Sequence, residues 1–262
     1  PLLEKHPKLK ECVEIVDCED VIDNTMDVST ALRKGKKSSM YRAIEAVSKN
    51  EAAAVISAGN TGVLMAMSKI LLRPIEGVHR PAIASYMPHK KGESVMLDLG
   101  ANVECDADNI CQFSLMGEVF ARSVLGRPEP TIGILNVGSE ETKGVEYLRE
   151  AAHMLRQVCP DQYHGFIEGN DIAEGTTDVV VTDGFTGNVT LKALEGVGQL
   201  YGAFLRETIR HSLMARIGYL FSKSAFKRLR QRLDPRRYNG AVFLGLNGIS
   251  VKSHGGTDAL GF

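Results

Sequence analysis

Residues 178–188, with the sequence DVVVTDGFTGN, place an apolar strand directly before a polar turn and a helix. Three consecutive valines suit a strand that is buried on both faces, as the strands of parallel sheets are. Gly184 and Gly187 permit positive φ angles and the close approach of a ligand to the backbone. The helix that follows carries an apolar stripe made of Leu191, Leu194, Val197, Tyr201 and Phe204. The stripe predicts a helix that begins at the turn, where its free N–H groups and dipole favour an anion.

Polar turns of similar composition follow other predicted strands. Residues 52–57, 95–98 and 131–135 are predicted strands, and turns rich in glycine and asparagine follow them at residues 58–62, 98–102 and 136–144. A strand at residues 13–16 and a turn at residues 88–92 are also predicted. Since helices separate most of the strands, we expect a three-layer α/β/α fold with a mostly parallel sheet. Ligands of such sheets bind beyond the carboxyl ends of the strands, so the turns are expected to form one composite site.

The composition of residues 1–262 is that of one soluble α/β domain, 44% apolar and with a formal net charge of −1. That charge gives no indication of nucleic-acid binding. The five cysteines show no CxxC spacing, which indicates reduced cytosolic thiols. Cys105 and Cys111 lie close together in sequence, but no histidine pair follows them, and we expect no metal site. Neither a signal peptide nor a run of about 18 apolar residues is present. The chain begins without methionine and stops at the apparent start of a helix, so both ends look truncated.

The turns match no Walker or dinucleotide fingerprint, and no Ser-His or Cys-His nucleophile pair accompanies them. Each turn taken alone can be a tight connection and no more. Together they offer backbone N–H groups, Asn and Thr side chains and one lysine, Lys143, which suit a small oxyanion such as phosphate. Lys143 also has a simpler interpretation, as an exposed lysine near the start of a helix.

Six motifs together resemble those of the bacterial phosphate acyltransferases. They are Ser57-Ala58-Gly59-Asn60-Thr61-Gly62, Leu97-Asp98-Leu99-Gly100-Ala101-Asn102, Leu135-Asn136-Val137-Gly138, Lys143-Gly144, Asp183-Gly184-Phe185-Thr186-Gly187-Asn188 and Lys252-Ser253-His254-Gly255. The resemblance covers essentially the whole chain. It implies a fold similar to the isocitrate/isopropylmalate dehydrogenase and phosphotransacetylase group. Members of the family also carry a first strand with an Asp-Ala-Met-Gly-Gly-Asp loop and a terminal helix, which this sequence lacks.

The resemblance implies transfer of a fatty acyl group from acyl-acyl-carrier protein to inorganic phosphate, giving acyl phosphate for glycerophospholipid synthesis. It implies no cofactor and no metal, and a cytoplasmic homodimer that associates peripherally with the inner face of the membrane. Lys143, Asn188 and His254 are the candidate catalytic residues. His254 has a structural role as its alternative. The candidate contacts of phosphate and thioester are Ser57, Gly59, Asn60, Thr61, Asn102, Asn136, Asp183 and Thr186.

Residues 206–237 form a basic segment with ten Lys or Arg against two acidic residues, so its formal charge of +8 leaves −9 for the rest of the chain. Its apolar residues predict two amphipathic helices, with a bend near Gly218 and residues 222–224. Packing on the core, binding to a membrane surface and docking of acidic carrier protein are the three interpretations. The candidate contacts are Arg228, Arg230 and Arg232.

Two other functions remain open on the sequence alone. The first is a short-chain phosphotransacylase that uses acyl-coenzyme A, because the turns do not reveal the size of the acyl pocket. The second is a membrane-surface scaffold without catalytic activity, in which residues 206–237 are the functional part. A nucleic-acid partner is disfavoured, because no aromatic or recognition-helix pattern accompanies the basic charge.

Overall fold

The computed structural model describes residue 4 and residues 7–232, 240–259 and 261. In this part of the chain the helices are α1 (Pro7–Lys10), α2 (Val28–Lys34), α3 (Ser39–Ser48), α4 (Thr61–Leu71), α5 (Ala107–Leu125), α6 (Glu146–Val158), α7 (Gly169–Glu174), α8 (Gly184–His211), α9 (Leu213–Phe221) and α10 (Lys223–Arg232). The strands are β1 (Ala54–Ser57), β2 (Ala82–His89), β3 (Gly92–Leu97), β4 (Ile132–Leu135), β5 (Tyr163–Ile167), β6 (Val179–Val181), β7 (Ala241–Leu244) and β8 (Ile249–Lys252).

Short polar side chains fix the points at which several helices begin. Asp27, Ser38, Asn60, Asp106 and Asp183 each accept a hydrogen bond from a backbone N–H of the first turn, in α2, α3, α4, α5 and α8 respectively. Such caps satisfy N–H groups that have no partner within the helix. The loops that precede α4 and α8 are therefore held in place by the same side chains that the sequence marks as candidate ligands.

The described strands form one sheet in the order β1-β8-β7-β2-β3-β6-β4-β5. The pairs β1–β8, β3–β6, β4–β6 and β4–β5 are parallel. The pairs β2–β3, β2–β7 and β7–β8 are antiparallel. The prediction of an α/β fold with a mostly parallel sheet is confirmed, and so is the turn between β2 and β3. The sequence does not predict the antiparallel pairings of β7.

The antiparallel pairings divide the strands into two sets of opposite direction. β1, β8 and β2 run one way, whereas β3, β4, β5, β6 and β7 run the other way. The carboxyl ends of β1 and β8 therefore lie at one edge of the sheet, and those of β3, β4 and β6 lie at the opposite edge. The loops after β1 and β8 can therefore contact each other, but they lie away from the loops after β3, β4 and β6.

Helices cover both faces of the sheet. On one face Val55 of β1 and Phe243 of β7 are buried in a cluster with Ile44 of α3 and Leu64 of α4. On the other face Leu97 of β3 is buried in a cluster with Phe113 of α5 and Leu155 of α6. These two clusters lie between the sheet and the helices on either side of it, in the three-layer arrangement that the sequence predicts.

The long helix α8 leaves this body soon after it begins. Gly184 and Gly187 are its buried residues, and Leu191 packs against the core, but Val197 and Phe204 remain 63% and 59% exposed. No residue of α9 is buried. Packing of the basic segment on the core is therefore wrong for its described residues, because α8 carries α9 and α10 away from the sheet.

Two local predictions differ from the structure. Residues 13–16 belong to no described strand, and Ile15 is 74% exposed, because no neighbouring strand in the described ranges pairs with them. The bend predicted at residues 222–224 is present at Ser222, but Gly218 is within α9, and a further break lies at Ser212. Residues 233–237, the last part of the predicted segment, lie outside the described residues. Within the described ranges, none of the helices joins enough length to enough hydrophobicity for a bilayer span.

Candidate functional site

The predicted site residues fall into two groups at opposite edges of the sheet. We call the loops after β1 and β8 the β8 edge, which holds Ser57, Gly59, Asn60, Thr61 and His254. We call the loops after β3, β4 and β6 the β6 edge, which holds Asn102, Asn136, Lys143, Asp183, Thr186 and Asn188. The expectation of one composite site is therefore wrong for a single chain. The antiparallel pairing of β2 with β3 reverses the chain direction between the two groups.

At the β6 edge, protein groups use two of the three N–H groups that lack a partner within α8 at its start. The N–H of Gly184 donates to the Asn102 carbonyl at 2.7 Å, and the N–H of Thr186 donates to Asp183 Oδ1 at 2.8 Å. The N–H of Gly187 donates to the Asp183 carbonyl at 2.9 Å. The anion site that the sequence predicts at this helix start is reduced to the N–H of Phe185 among the described contacts, because the loop after β3 and the capping carboxylate occupy the donors of Gly184 and Thr186.

The glycines of the same turn serve packing. A Cβ at Gly184 would lie 2.6 Å from the carbonyl oxygen of Asn102, and a Cβ at Gly187 would overlap the carbonyl oxygen of Asp98. The backbone of α8 therefore lies directly against the loop of residues 98–102. The close approach that the sequence predicts exists, but its partner is another loop of the chain.

Asp98 organises that loop through a buried carboxylate. Its Oδ1 accepts hydrogen bonds from the backbone N–H groups of Ile83, Gly100 and Ala101 at 3.0, 3.2 and 3.0 Å. Its Oδ2 accepts from the backbone N–H and the side-chain Nδ2 of Asn102 at 2.7 and 2.9 Å. Burial raises the pKa of Asp98, and these donors oppose the rise. Every group that touches the carboxylate is a donor, so the loop depends on its oxygens.

Asn102, Asp183 and Thr186 also hold the loops at this edge. Asn102 Nδ2 donates to the Pro81 carbonyl at 2.8 Å in addition to Asp98. Thr186 Oγ1 donates to Asp183 Oδ2 at 2.8 Å, and Tyr147 Oη donates to the same oxygen at 3.1 Å. Burial raises the pKa of Tyr147, and the neighbouring carboxylate of Asp183 raises it further. The phenol therefore keeps its proton and remains a donor to Asp183.

Sequence reasoning missed the roles of Asp98 and Tyr147. Asp98 stands directly after a buried apolar strand and before a glycine, a position from which a carboxylate commonly folds a following loop. That signal was available in the motif of residues 97–102. Tyr147 is a single aromatic residue near the start of α6, and its contact with Asp183, 36 positions later, leaves no local trace in the sequence.

Lys143 and Asn188 are the exposed members of the β6 edge. Asn188 packs beside Gly100, since a Cβ at Gly100 would lie 3.5 Å from that of Asn188. The Lys143 carbonyl accepts a hydrogen bond from Asn136 Nδ2 at 3.2 Å, while Asn136 Oδ1 is buried and has no donor among the described residues. In the described part of the chain the Lys143 ammonium makes no ion pair. Both side chains thus remain available to a ligand.

At the β8 edge, both the oxygen and the nitrogen of the Asn60 side-chain amide form hydrogen bonds within the chain. Its Oδ1 accepts from the N–H of Val63 at 3.1 Å, and its Nδ2 donates to the Asn24 carbonyl at 2.8 Å. Asn60 therefore builds the loop and caps α4. The N–H groups of Thr61 and Gly62 have no acceptor among the described residues, whereas at the start of α8 this holds for the N–H of Phe185 alone. An anion in front of α4 would meet these two donors and the positive end of the helix dipole.

The loop after β8 lies against the loop after β1. The N–H of Ser253 donates to the Ser57 carbonyl at 2.9 Å, and a Cβ at Gly255 would lie 3.4 Å from the Ala58 carbonyl oxygen. Ser57 Oγ accepts from the N–H of Gly59 at 3.2 Å. His254 is exposed, and its Nδ1 accepts from the N–H of Gly256 at 3.1 Å. Ser57, Thr61 and His254 thus lie at the same edge of the sheet.

The described cysteines do not form a metal centre. Cys105 and Cys111 both belong to the core around α5, and burial raises the pKa of Cys105 to about 12. Burial also raises the pKa of Cys111. Groups of three or more His, Cys, Asp or Glu side chains with metal-binding geometry do not occur in the described ranges.

Comparison with known proteins adds the family context. Residues 1–262 match a family described as fatty acid synthesis protein. The phosphate acyltransferase of Rhodospirillum centenum is 57% identical over 263 residues, which cover 100% of this chain and 74% of that protein. The phosphate acyltransferase of Paramagnetospirillum magneticum is 55% identical over 263 residues, with 100% and 75% coverage.

Solved structures with a similar fold come from phosphotransacylases. A branched-chain phosphotransacylase from Enterococcus faecalis aligns with a TM-score of 0.56 and 13% identity, over 85% of this chain and 74% of that one. The EutD phosphotransacetylase from Staphylococcus aureus aligns with a TM-score of 0.53 and 15% identity, over 97% and 78%. At these identities the likeness concerns the fold alone, and it confirms the expected similarity of fold to the phosphotransacetylase group.

Proposed function

Because this chain belongs to the fatty acid synthesis protein family, whose relatives include phosphate acyltransferases, we propose that it transfers a fatty acyl group from acyl-acyl-carrier protein to inorganic phosphate. The product would be acyl phosphate for glycerophospholipid synthesis. The observation that carries the choice of phosphate site is the start of α4, where the N–H groups of Thr61 and Gly62 lack an acceptor among the described residues.

The β8 edge suits phosphate better than the β6 edge does. At the β6 edge, Asn102 and Asp183 use two of the three donors that begin α8. At the β8 edge, Asn60 caps α4 through the N–H of Val63 and leaves the first two donors unused. A dianion placed there would be held by backbone donors that are fixed before it arrives. Ser57 and Gly59 shape the same loop.

The reaction needs few protein groups. A phosphate oxygen attacks the thioester carbonyl carbon, a C–O bond forms, and the C–S bond then breaks with its electron pair on sulfur. A thiol of pKa about 8.5 leaves without strong acid assistance. His254, which lies in the loop after β8, is the proposed donor of a proton to the thiolate. Fixed N–H donors stabilise the oxyanion that forms on the carbonyl oxygen.

Lys143 and Asn188 keep a proposed role at the other edge of the sheet. Their side chains are exposed and lie beyond the carboxyl ends of β4 and β6. Since the β8 edge is on the opposite side, they cannot hold the same phosphate within one chain. We assign them to contact with the acyl donor, which is large enough to reach beyond a single loop.

A short-chain phosphotransacylase that uses acyl-coenzyme A is the second candidate. The fold likeness to a branched-chain phosphotransacylase and to a phosphotransacetylase favours it. Both candidates use phosphate as the acceptor, so the phosphate site does not distinguish them. The donor does, because a carrier protein and a nucleotide present different surfaces to the enzyme.

The test of the proposed function supplies the donors one at a time. Palmitoyl-acyl-carrier protein, palmitoyl-coenzyme A and acetyl-coenzyme A are each mixed with protein and phosphate, and acyl phosphate is trapped with hydroxylamine. We expect phosphate-dependent product from palmitoyl-acyl-carrier protein at a rate at least tenfold above that from acetyl-coenzyme A. Reactions without phosphate serve as the control. Product from acetyl-coenzyme A alone would support the second candidate instead.

Peripheral binding to membranes is proposed for α9 and α10. Leu220 and Phe221 of α9 are 69% and 87% exposed, and Leu213 and Met214 are similarly open to solvent. Arg228 of α10 is exposed, while the side chains of Arg230 and Arg232 lie outside the described residues. Apolar residues beside a basic helix are typical of surfaces that insert shallowly into anionic bilayers. The exposed apolar side chains of α8, such as Val197 and Phe204, are the proposed contact between two copies in a homodimer.

Charge reversal in α10 is expected to weaken binding to anionic vesicles. The triple variant combines Arg228→Glu, Arg230→Glu and Arg232→Glu. It loses three electrostatic attractions to anionic lipid of about 1 kcal/mol each, so the partition coefficient for the vesicles should fall at least tenfold. Sedimentation with vesicles containing phosphatidylglycerol measures it. The matched control changes Arg33, Lys34 and Lys36 to Glu on the body of the protein. Equal binding by both triple variants and the wild type would remove α10 from the membrane contact.

A further inference from the structure

Lys252 is a half-buried lysine at the carboxyl end of β8, in register with Ser57 of β1. Its Nζ donates to the carbonyl oxygen of Ser253, a neutral acceptor. Among the described residues no carboxylate lies within ion-pair distance of it. Burial lowers the pKa of Lys252, and no charged neighbour contributes to the shift. Its positive charge is therefore partly removed from water without a compensating anion.

The strand register decides which face of the sheet the Lys252 side chain occupies. Ser250, two residues earlier, is fully buried, and its Oγ is 2.9 Å from Oγ of Ser68 in α4. Side chains two apart on a strand point to the same face, so Lys252 points to the face that α4 covers. Ala241, which pairs with Lys252 from β7, packs into the core cluster on that face.

The same geometry brings Lys252 towards the start of α4. Thr61 precedes Ser68 by seven positions, which is about 10 Å along a helix axis. The chain from Ser250 to Lys252 advances about 7 Å in the direction of the strand end, where α4 begins. Along this direction the two positions differ by about 3 Å, which is less than the length of a lysine side chain. The ammonium and the N–H groups of Thr61 and Gly62 therefore belong to one edge, all of them donors.

We infer that Lys252 contacts the phosphate substrate at the β8 edge and supplies the cation that neutralises it. This assignment rests on the proposed function, because phosphate is the acceptor of that reaction. An ammonium beside a helix N-terminus is unfavourable until an anion lies between them, since both are positive. Phosphate removes that conflict and accepts charge-assisted hydrogen bonds from the lysine and the backbone. The role is contact with the nucleophile, and no proton transfer is required of the lysine.

The kinetic test compares Lys252→Met, which keeps the length and removes the charge, with Lys252→Arg, which keeps the charge. Initial rates are measured while phosphate or the acyl donor is varied. We expect Lys252→Met to raise the KM for phosphate at least tenfold and to change the KM for the acyl donor less than twofold. Lys252→Arg should recover most of the loss. Lys49→Met, which removes the exposed lysine directly after α3, is the matched control and should behave as the wild type.

A second measurement needs no turnover. Phosphate should raise the Tm of the wild type at constant ionic strength set with potassium chloride, and this rise should disappear in Lys252→Met and return in Lys252→Arg. Lys252→Gln replaces the Met variant if circular dichroism shows that the latter is unfolded. A normal phosphate KM and a normal Tm rise without the charge at position 252 would overturn the assignment. A larger effect of Lys143→Met than of Lys252→Met would place phosphate at the β6 edge and do the same.

The two proposals fail in different ways. If the wild type forms acyl phosphate from no donor, the proposed function is wrong, and the phosphate-dependent rise in Tm still decides whether Lys252 binds the anion. If the wild type is active and the Met variant keeps its KM for phosphate, the assignment of Lys252 is wrong and the function stands.

Discussion

Gly187→Ala is expected to destabilise the protein by about 3 kcal/mol or more, the upper range for overpacking a site that cannot expand. The added methyl group would overlap the backbone carbonyl oxygen of Asp98, and Thr182 Cγ2 would lie 3.0 Å away. A backbone atom cannot turn aside as a flexible side chain can. The helix start must therefore move away from the loop of residues 98–102, and the hydrogen bond from Gly184 to Asn102 would be strained with it. Urea unfolding followed by circular dichroism measures the loss.

The same helix provides a control for Gly187→Ala. A Cβ at Gly198 would meet no atom within 4 Å, so Gly198→Ala adds a methyl group without a clash. Since alanine favours a helix over glycine by up to about 1 kcal/mol, this variant should be slightly more stable than the wild type. Similar stabilities for the two variants would mean that α8 and the loop after β3 are not in contact in solution.

Asp98→Asn is expected to cost about 2–4 kcal/mol of unfolding free energy. The carboxylate accepts five hydrogen bonds, and all five come from N–H groups. An amide would turn its own NH2 towards one set of these donors, either that of Asn102 or that of Ile83 and Ala101. Buried donors without an acceptor cost about 1–3 kcal/mol each, and no other acceptor at Asp98 can replace the lost oxygen.

Asp161→Asn is the matched control for Asp98→Asn. Asp161 is exposed, and no side-chain hydrogen bond or ion pair of this residue occurs within the described structure. Its substitution makes the same chemical change without burial and should alter stability by less than about 0.5 kcal/mol. Hydrogen exchange at Gly100 and Ala101 should accelerate in Asp98→Asn and stay unchanged in Asp161→Asn. Unchanged stability and exchange in both variants would show that the loop does not depend on the carboxylate.

The sequence predicts the elements well where the signal is local. The valines of residues 179–181 and the glycine turn after them correctly give β6 and the start of α8. The order of strands in a mixed sheet is a long-range property. Nothing in residues 241–244 indicates that β7 would insert antiparallel between β2 and β8. The loops of similar composition are separated by the antiparallel pairing of β2 with β3, which is also a long-range property.

The functional interpretation of individual side chains is limited by the same cause. Asn60, Asn102 and Thr186 are polar residues in turns, a composition that suits a ligand site and a well-capped turn equally. Only the contacts decide between these uses, and here Asn60 binds the loop of residues 24–26 while Thr186 binds Asp183. Lys252 shows the opposite case, because its lack of an acidic neighbour becomes visible only when β1, β8 and α4 are assembled.

Because β1 pairs with β8, β1 cannot complete its place in the sheet until the ribosome has synthesised β8. Ala54 pairs with Ile249, 195 positions later, and β1 has no other strand beside it in the described sheet. At about 5–20 residues per second, a ribosome needs about 10–40 s to deliver that partner. During this interval Val55 and the apolar side of α4 have no β8 to pack on. The apolar surface of β1 and α4 is therefore the surface that a nascent-chain chaperone would cover for longest.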